Sequence, residues 1–432
     1  MPAMTAPRTP SPVDADDLVR RYRAVRDATE ALAAPLSPED QQLQSMPACS
    51  PTKWHRAHTT WFFEEFLLGP RGVAAHHPSY RYLFNSYYDA VGPRHPRPHR
   101  GMLSRPSCDA IAEYRRAVDD RVCALFRSLA PPDLDAVAPL VALGLAHEQQ
   151  HQELLLTDIL HAFWQHPLRP AYRAPDGAPT QNLRPSAPSP VEGFVQHPGG
   201  LVRLGAADDA AHNGHFTFDN EHPRHRVWLE PFSLGASLVP NAALRAFLEA
   251  DGYRTPSLWL AEGFDFVRAH GLDAPGYTTW EDGALRVFTL DGMVDAHPDA
   301  PVAHLSYYEA DALARFLGAR LPTEAEWEVF ARDADATMGN FVDDSWLRPR
   351  PSLAPEAGAV VGLFGDVWQW TASAYAPYPG FAPGPGAVGE YNGKFMVNQM
   401  VLRGGSCFTP RGHVRATYRN FWHPDTRFQM TG

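Results

Sequence analysis

His147 and His151 stand four residues apart in the stretch Ala146-His147-Glu148-Gln149-Gln150-His151-Gln152-Glu153. On a helix that spacing puts both imidazoles on one face, one turn apart, where they can share a metal ion. Glu148 and Glu153 fall about 100° and 240° away from His147 at the usual helical period, so neither completes the site. A third ligand has to come from another element. A bare pair of this kind is otherwise read as two solvated or packed histidines, so its meaning depends on what the rest of the chain aims at it.

The pair lies in a run from Asp133 to about His166 that has no proline after Pro139 and repeats its apolar residues at helical spacing, which predicts one long helix. Asp14 to Ala33 predicts an amphipathic helix with an acidic start. A further helix is expected from Ser50-Pro51 to Leu68, with Ser50 as cap, Pro51 in the first turn and Gly69-Pro70 as the stop. On it His58 shares the most apolar face with Trp54, Trp61, Phe62 and Glu65, which makes it the candidate third ligand. His55 falls on a more polar face and is the weaker candidate. Another helix is expected from about Pro106 to Leu129. Four helices with one long crossover make a four-helix bundle, a fold that builds metal sites from inward-facing side chains. The crossover, 71–105, is irregular and carries Phe84-Asn85-Ser86-Tyr87-Tyr88 and an Arg/His/Pro patch from Gly92 to Arg100. Loops of that length in a compact domain are usually functional or disordered, and the aromatic content favours function.

Composition narrows the setting. The chain has 432 residues, 44% of them hydrophobic, enough for two or three domains with cores. A formal charge of −11 argues against nucleic acid or an anionic membrane as partner. No apolar run approaches the roughly 20 residues of a membrane span. The four cysteines, Cys49, Cys108, Cys123 and Cys407, are scattered without a CxxC, so free thiols in a reducing cytoplasm are expected. Residues 1–14 read as a disordered tail, 15–166 as the bundle, and 167–190 as a Pro-rich linker. From 191 to 432 short alternating stretches (201–204, 225–229) and short helices (241–250, 307–317) predict an α+β domain with little regular structure.

The second half carries Arg320-Leu321-Pro322-Thr323-Glu324-Ala325-Glu326-Trp327-Glu328, then Gly365-Asp366-Val367-Trp368-Gln369-Trp370-Thr371, then Arg403-Gly404-Gly405-Ser406-Cys407. Taken singly, Thr323 caps a helix, Trp327 anchors a core and the glycine pair lets a strand bend. In this order they resemble the formylglycine-generating-enzyme domain, a C-type-lectin-like fold. The stretches WHRAHTTWFFEEF and AHEQQHQE resemble a DinB-like four-helix bundle. Together they resemble the ergothioneine-forming sulfoxide synthases of the EgtB family, over essentially the whole chain except the tail.

The resemblance implies Fe(II) held by His58, His147 and His151, with hercynine, a thiol donor and dioxygen as the small-molecule substrates. It places the family's tyrosine pair on Tyr87 and Tyr88, one of them a proton donor. If that loop is extended, the two rings point to opposite sides. Its donor-binding arginines fall on Arg94 and Arg97, with His99 and Arg100 close by. Its betaine pocket falls on Gln150 and on Tyr418, Asn420, Phe421 and Trp422. Trp422 and His423, Gln369 in place of a more usual Glu, and His99 in place of Gln depart from the family pattern near these pockets. They leave the donor open between a thiol and the selenosugar of the related selenoneine synthases. The chain stops at Thr431-Gly432, before the last strand such domains usually finish with, which reads as a truncated end. Two other classes compete: a metal-dependent thiol transferase on the DinB-like bundle and a non-catalytic lectin-like binding module. Formylglycine generation itself is disfavoured, since the second half holds only Cys407.

Overall fold

The computed structural model describes residues 13–173, 193–207, 216–351, 358–384, 389 and 392–432. The expected tail up to residue 12, the linker from 174 onwards and part of the Gly/Pro-rich stretch 374–394 lie outside these residues. Among the described residues no helix is long and apolar enough to cross a membrane.

Helix α1 (Ala15–Ala33) starts where Asp14 caps it, its side chain accepting from the Asp17 amide. Helix α2 (Thr52–Phe63) continues through a π turn, Glu64–Leu68. After it come the short α3 (Tyr80–Phe84), α4 (Cys108–Ser128) and α5 (Pro131–Gln165). Two details of α2 differ from the sequence expectation. Pro51 is the N-cap and no side chain caps the helix; the Ser50 amide instead donates to Asp158 Oδ2 at 2.7 Å, and its hydroxyl accepts from Arg100 Nη1 at 2.9 Å. The helix also has no polar face, because all twelve of its residues are buried. It packs on α1, α4 and α5 together, so polar residues such as His55, Arg56 and His58 bond partners from other elements instead of water.

Helix α5 has apolar stretches at both ends and a run of polar residues, His147 to Glu153, between them, five of which are buried. Its first half (Leu134, Val137, Val141, Leu145) joins Tyr22, Trp61, Phe62 and Phe126 in the bundle core. Its second half (Leu155, Leu156, Ile159, Leu160, Phe163) joins Tyr277, Phe288, Val367 and Phe408 of the following domain in a separate core. Gly144 lets α2 lie close, since a Cβ there would meet the Phe63 ring at 2.6 Å and the Phe62 ring at 2.8 Å.

The second domain is built of small antiparallel sheets. β1 (Phe194–His197) pairs with β4 (Phe232–Gly235), and β2 (Gly200–Leu204) with β3 (His225–Leu229). β5 (Thr278–Glu281), β6 (Ala284–Thr289) and β7 (Gly292–Asp295) form a meander. β8 (Gln369–Ala374), β9 (Met400–Arg403) and β10 (Asn420–Trp422) form a sheet with β9 in the middle. Helices α6 (Asn241–Glu249), α7 (Ala261–His270), α8 (Tyr307–Phe316) and α9 (Glu324–Ala331) cover them. Thr323 caps α9 in a capping box with Glu326. Gln369 has a physical reason to be Gln here. Its amide N–H groups donate to the Gly362 and Leu363 carbonyls, both at 3.0 Å, while its oxygen accepts from Trp327 Nε1 at 2.8 Å. A glutamate could only accept.

Beneath α5 lies a buried ion network. Glu148 accepts from Arg26 at 2.7 Å, Arg115 at 2.9 Å and the Thr29 hydroxyl at 2.7 Å. Burial alone would raise its pKa, but the two guanidinium groups win and hold it at about 2, against an ordinary value of 4.5. A carboxylate depressed in the fold contributes stability above its unfolded pKa and loses it as pH falls through the folded one. Acid unfolding of the bundle is therefore expected to steepen between about pH 4.5 and 2. Glu148→Ala leaves Arg26 with Asp119 and Arg115 with Glu30 as their remaining carboxylates, and should cost about 1–3 kcal/mol in denaturant titrations followed by circular dichroism.

Candidate metal centre at the domain seam

His58 of α2 and His147 and His151 of α5 meet inside the bundle, all three buried, with one ligand nitrogen of each within 4.8 Å of the others. His147 Nε2 lies 3.2 Å from His58 Nε2 and 3.1 Å from His151 Nε2. Metal–nitrogen bonds of about 2.1 Å at right angles would put ligand nitrogens about 3.0 Å apart, so the spacing fits one ion.

The outer nitrogens fix which lone pairs face inward. His58 Nδ1 lies 2.6 Å from the Phe84 carbonyl, which can only accept; the proton sits on Nδ1 and Nε2 presents a lone pair. His55 Nε2 lies 3.0 Å from the Asp158 carboxylate and therefore donates. With its proton on Nε2, His55 turns the Nδ1 lone pair to His151 Nδ1, 2.8 Å away. His151 must donate there, leaving its Nε2 lone pair for the shared point. Burial keeps all three neutral: it pushes His147 down to about 3, and lowers His58 and His151 well below the ordinary imidazole value, with His147 adding to the effect on both. Neutral imidazoles are the form that binds metal.

His55 was expected on a polar face; it is buried and bonded at both nitrogens, on α2 between Asp158 and His151. Nothing in the periodicity of one helix shows that three others surround it.

Aromatic rings brace the centre. His58 is sandwiched between Trp54 (ring centroids 4.6 Å) and Trp61 (5.5 Å). The Arg100 guanidinium lies 3.4 Å over the outer face of this stack, on Trp54. Arg100 is buried, its two amino groups donate to the Ser50 and Ser86 hydroxyls, and no carboxylate bonds it among the described residues. Burial and then Arg97 work against its charge. Arg94 and Arg97 lie at the surface, Arg94 paired with Asp89 and Arg97 donating to the Ala48 carbonyl. His99 is exposed and bonds His95 through its carbonyl. Of the four donor-binding candidates in the basic patch, Arg100 is the one placed beside the histidines.

The tyrosines do not point to opposite sides. Their ring centroids are 4.9 Å apart and tilted by 32°, because the loop turns at this point, the Asp89 amide bonding the Tyr87 carbonyl. Tyr88 is buried against Trp61, Phe62 and Phe66. Tyr87 is half-buried and meets Phe395 of the second domain edge-on at 5.6 Å.

That contact is part of a seam along α5. Gln150 Nε2 donates to Tyr418 Oη at 2.7 Å, and His413 bonds both Tyr418 Oη (3.1 Å) and Gln149 Oε1 (3.2 Å). Glu153 is buried and accepts from Trp368 Nε1 (2.6 Å), Ser406 Oγ (2.6 Å) and Thr409 Oγ1 (2.7 Å). Phe421 stacks on Tyr375 at 4.0 Å and lies 5.9 Å from Phe395. Trp422 packs on Phe428, and the Asn420 side chain accepts from the Phe421 amide. Gln150 and Tyr418 thus come together across the seam, with Phe421 linked to Tyr87 through Phe395. His413, Gln149 and Glu153 had no motif to announce them as seam residues.

Residues 180–432 match the family model of the sulfatase-modifying factor enzyme 1-like domain, and residues 21–155 that of the DinB superfamily. The chain is 33% identical over 422 residues to the hercynine oxygenase of Mycolicibacterium thermoresistibile, an alignment covering 89% of this chain and 87% of that one. The chain belongs to the hercynine oxygenase family. The hercynine oxygenase of Mycolicibacterium smegmatis is 32% identical over 429 residues, with 90% of this chain and 91% of that one aligned. The formylglycine-generating enzyme of Streptomyces coelicolor aligns with 55% of this chain and 85% of its own at 31% identity. As a hercynine oxygenase family member, the chain is an oxidative enzyme made of a DinB-like helical bundle and a formylglycine-generating-enzyme-like domain.

Proposed function

We propose that this chain joins hercynine to a thiol donor, cysteine or γ-glutamylcysteine, in an iron- and dioxygen-dependent step of ergothioneine biosynthesis. The observation that carries the proposal is the convergence of three neutral imidazoles beside a seam lined by Gln150 and Tyr418. The reaction balances as hercynine plus thiol plus O2 giving the coupled sulfoxide plus water. The imidazole C–H and the S–H are lost, a C–S bond forms, one oxygen atom goes to sulfur and the other leaves as water. Fe(II) held by His58, His147 and His151 would activate dioxygen and offer open positions to both substrates.

The chain's own residues do the rest. Gln150 and Tyr418 present polar groups to the betaine, and Asn420, Phe421 and Trp422 the edge and faces of its pocket, where cation–π contact with a trimethylammonium is worth roughly 0.5–2 kcal/mol. Arg100, buried and with no carboxylate bonded to it among the described residues, anchors an anionic group of the donor, with Arg94, Arg97 and His99 at the entrance. Tyr87, at the seam, delivers a proton, while Tyr88 is wall. A cytoplasmic setting belongs to the same proposal and is supported by four free cysteines among the described residues.

A second reading, with a selenosugar donor and a C–Se bond, is favoured by one observation: Arg94 and Arg97 already have partners at the surface. Anaerobically iron-loaded protein given hercynine, dioxygen and cysteine, γ-glutamylcysteine or a selenosugar in turn decides between them by product mass. A thiol-derived sulfoxide supports the first reading, a selenium product the second, and no coupled product with any donor rejects both. Within the first reading, Tyr87→Phe should lower the ratio of coupled product to oxidised donor by a factor of about 10² or more, the scale of general-acid catalysis. Tyr88→Phe should leave that ratio within a few-fold. Equal ratios in both variants and the parent would remove the proton-donor role.

A further inference from the structure

The three histidines are not held alike at their outer nitrogens. His58 donates to a peptide carbonyl, that of Phe84. His151 donates to another imidazole, His55, whose far nitrogen donates in turn to the buried Asp158 carboxylate. Asp158 lies on α5 two turns beyond His151, and its Oδ2 is fixed by a second donor, the Ser50 amide at 2.7 Å. His55 is turned away from the shared point, since its two ring nitrogens face His151 and Asp158.

We infer that Asp158 and His55 form a positioning relay for His151, fixing its tautomer and ring orientation and strengthening it as a metal donor. The chain of constraints runs one way. A carboxylate only accepts, so His55 carries its proton on Nε2. His55 Nδ1 then only accepts, so His151 carries its proton on Nδ1 and offers Nε2 to the metal. The carboxylate at the far end polarises both rings towards it, raising electron density on His151 Nε2. His58, bonded to an uncharged carbonyl, receives no such support. This inference rests on the reading of His58, His147 and His151 as ligands of a divalent metal.

The test is the dissociation constant for Fe(II), measured anaerobically, together with the visible absorption of the Co(II)-loaded protein. Removing outer partners of metal-bound histidines typically costs 10–100-fold in affinity. His55→Leu, which leaves His151 Nδ1 without its acceptor, should weaken Fe(II) binding by about tenfold or more and shift the Co(II) bands. His55→Asn places an amide oxygen near the position of Nδ1 and should recover most of the loss. Asp158→Asn keeps an oxygen for both donors and removes the charge, so it should cost a few-fold and move the Co(II) bands in the same direction as His55→Leu. Circular dichroism of the metal-free variants separates loss of fold from loss of affinity, and the near-isosteric Asp158→Asn serves if His55→Leu fails to fold. Wild-type affinity and an unchanged Co(II) spectrum in folded His55→Leu and Asp158→Asn would overturn the relay. Failure of the unmodified protein to bind Fe(II) or Co(II) would instead overturn the ligand reading on which it rests.

Discussion

Replacing His147 by Ala should abolish iron binding while the bundle keeps its helical content. His147 is the member of the triad whose Nε2 lies within 3.2 Å of both others, so its loss removes the central donor. Two imidazoles from different helices remain. The fold should survive, because the bundle core is carried by rings and aliphatic chains such as Tyr22, Trp61, Phe63 and Phe126. The ring removed touches Phe62 at 5.0 Å, and a packing loss of this kind is usually worth about 0.5–3 kcal/mol. Iron content by elemental analysis, beside circular dichroism of the same sample, reads both halves of the expectation. Full iron occupancy in the folded variant would dismiss the three-histidine centre.

Glu153→Ala should have the second largest effect, and on activity more than on iron. Glu153 projects from α5, the helix of His147 and His151, into the second domain and is the common acceptor of Trp368, Ser406 and Thr409. Its loss takes the acceptor from three buried donors, of which Ser406 and Thr409 keep a contact with each other at 3.3 Å; each donor left unsatisfied costs about 1–3 kcal/mol. Burial also raises the Glu153 pKa, partly offset by those same donors. The histidines keep their places, because they are fixed by α2 and α5. The proposed betaine pocket would lose its register against them, and a misplacement of about 1 Å can cost 10²-fold in rate. Product formation should therefore fall by about that factor with iron content near that of the parent. Unchanged turnover would mean that the site does not need both domains in register. Separately produced segments 15–168 and 191–432 should likewise each be inactive, since the apolar face of α5 made by Leu155, Ile159 and Phe163 is covered by the second domain.

What the sequence made legible was the part written in spacing. The four-residue step from His147 to His151, the apolar neighbours of His58 and the helical spacing of apolar residues along α5 are local patterns, and each is found again in the fold. Partners supplied from elsewhere in the chain left no such trace. His55 looked polar-facing because helical period alone does not say how many neighbours a helix has. Arg100 could not be told from Arg94 and Arg97 within one Pro-rich basic patch, because what separates them is the Trp54 ring beneath it. Tyr87 and Tyr88 read as an extended pair, and a single turn at Asp89 brought their rings together. Glu153 closes the histidine stretch, but nothing in that stretch shows its role at the seam, since its three donors come from more than two hundred residues away.

The most direct test of the account is the mass of the product formed from hercynine. Protein loaded anaerobically with one equivalent of Fe(II) is mixed with hercynine and donor, then exposed to labelled dioxygen. The account predicts a coupled product carrying one labelled oxygen on sulfur, formed by the intact protein and absent from His147→Ala. Hercynine recovered unchanged from the iron-loaded protein, or a coupled product that also forms without iron or with His147→Ala, would contradict it.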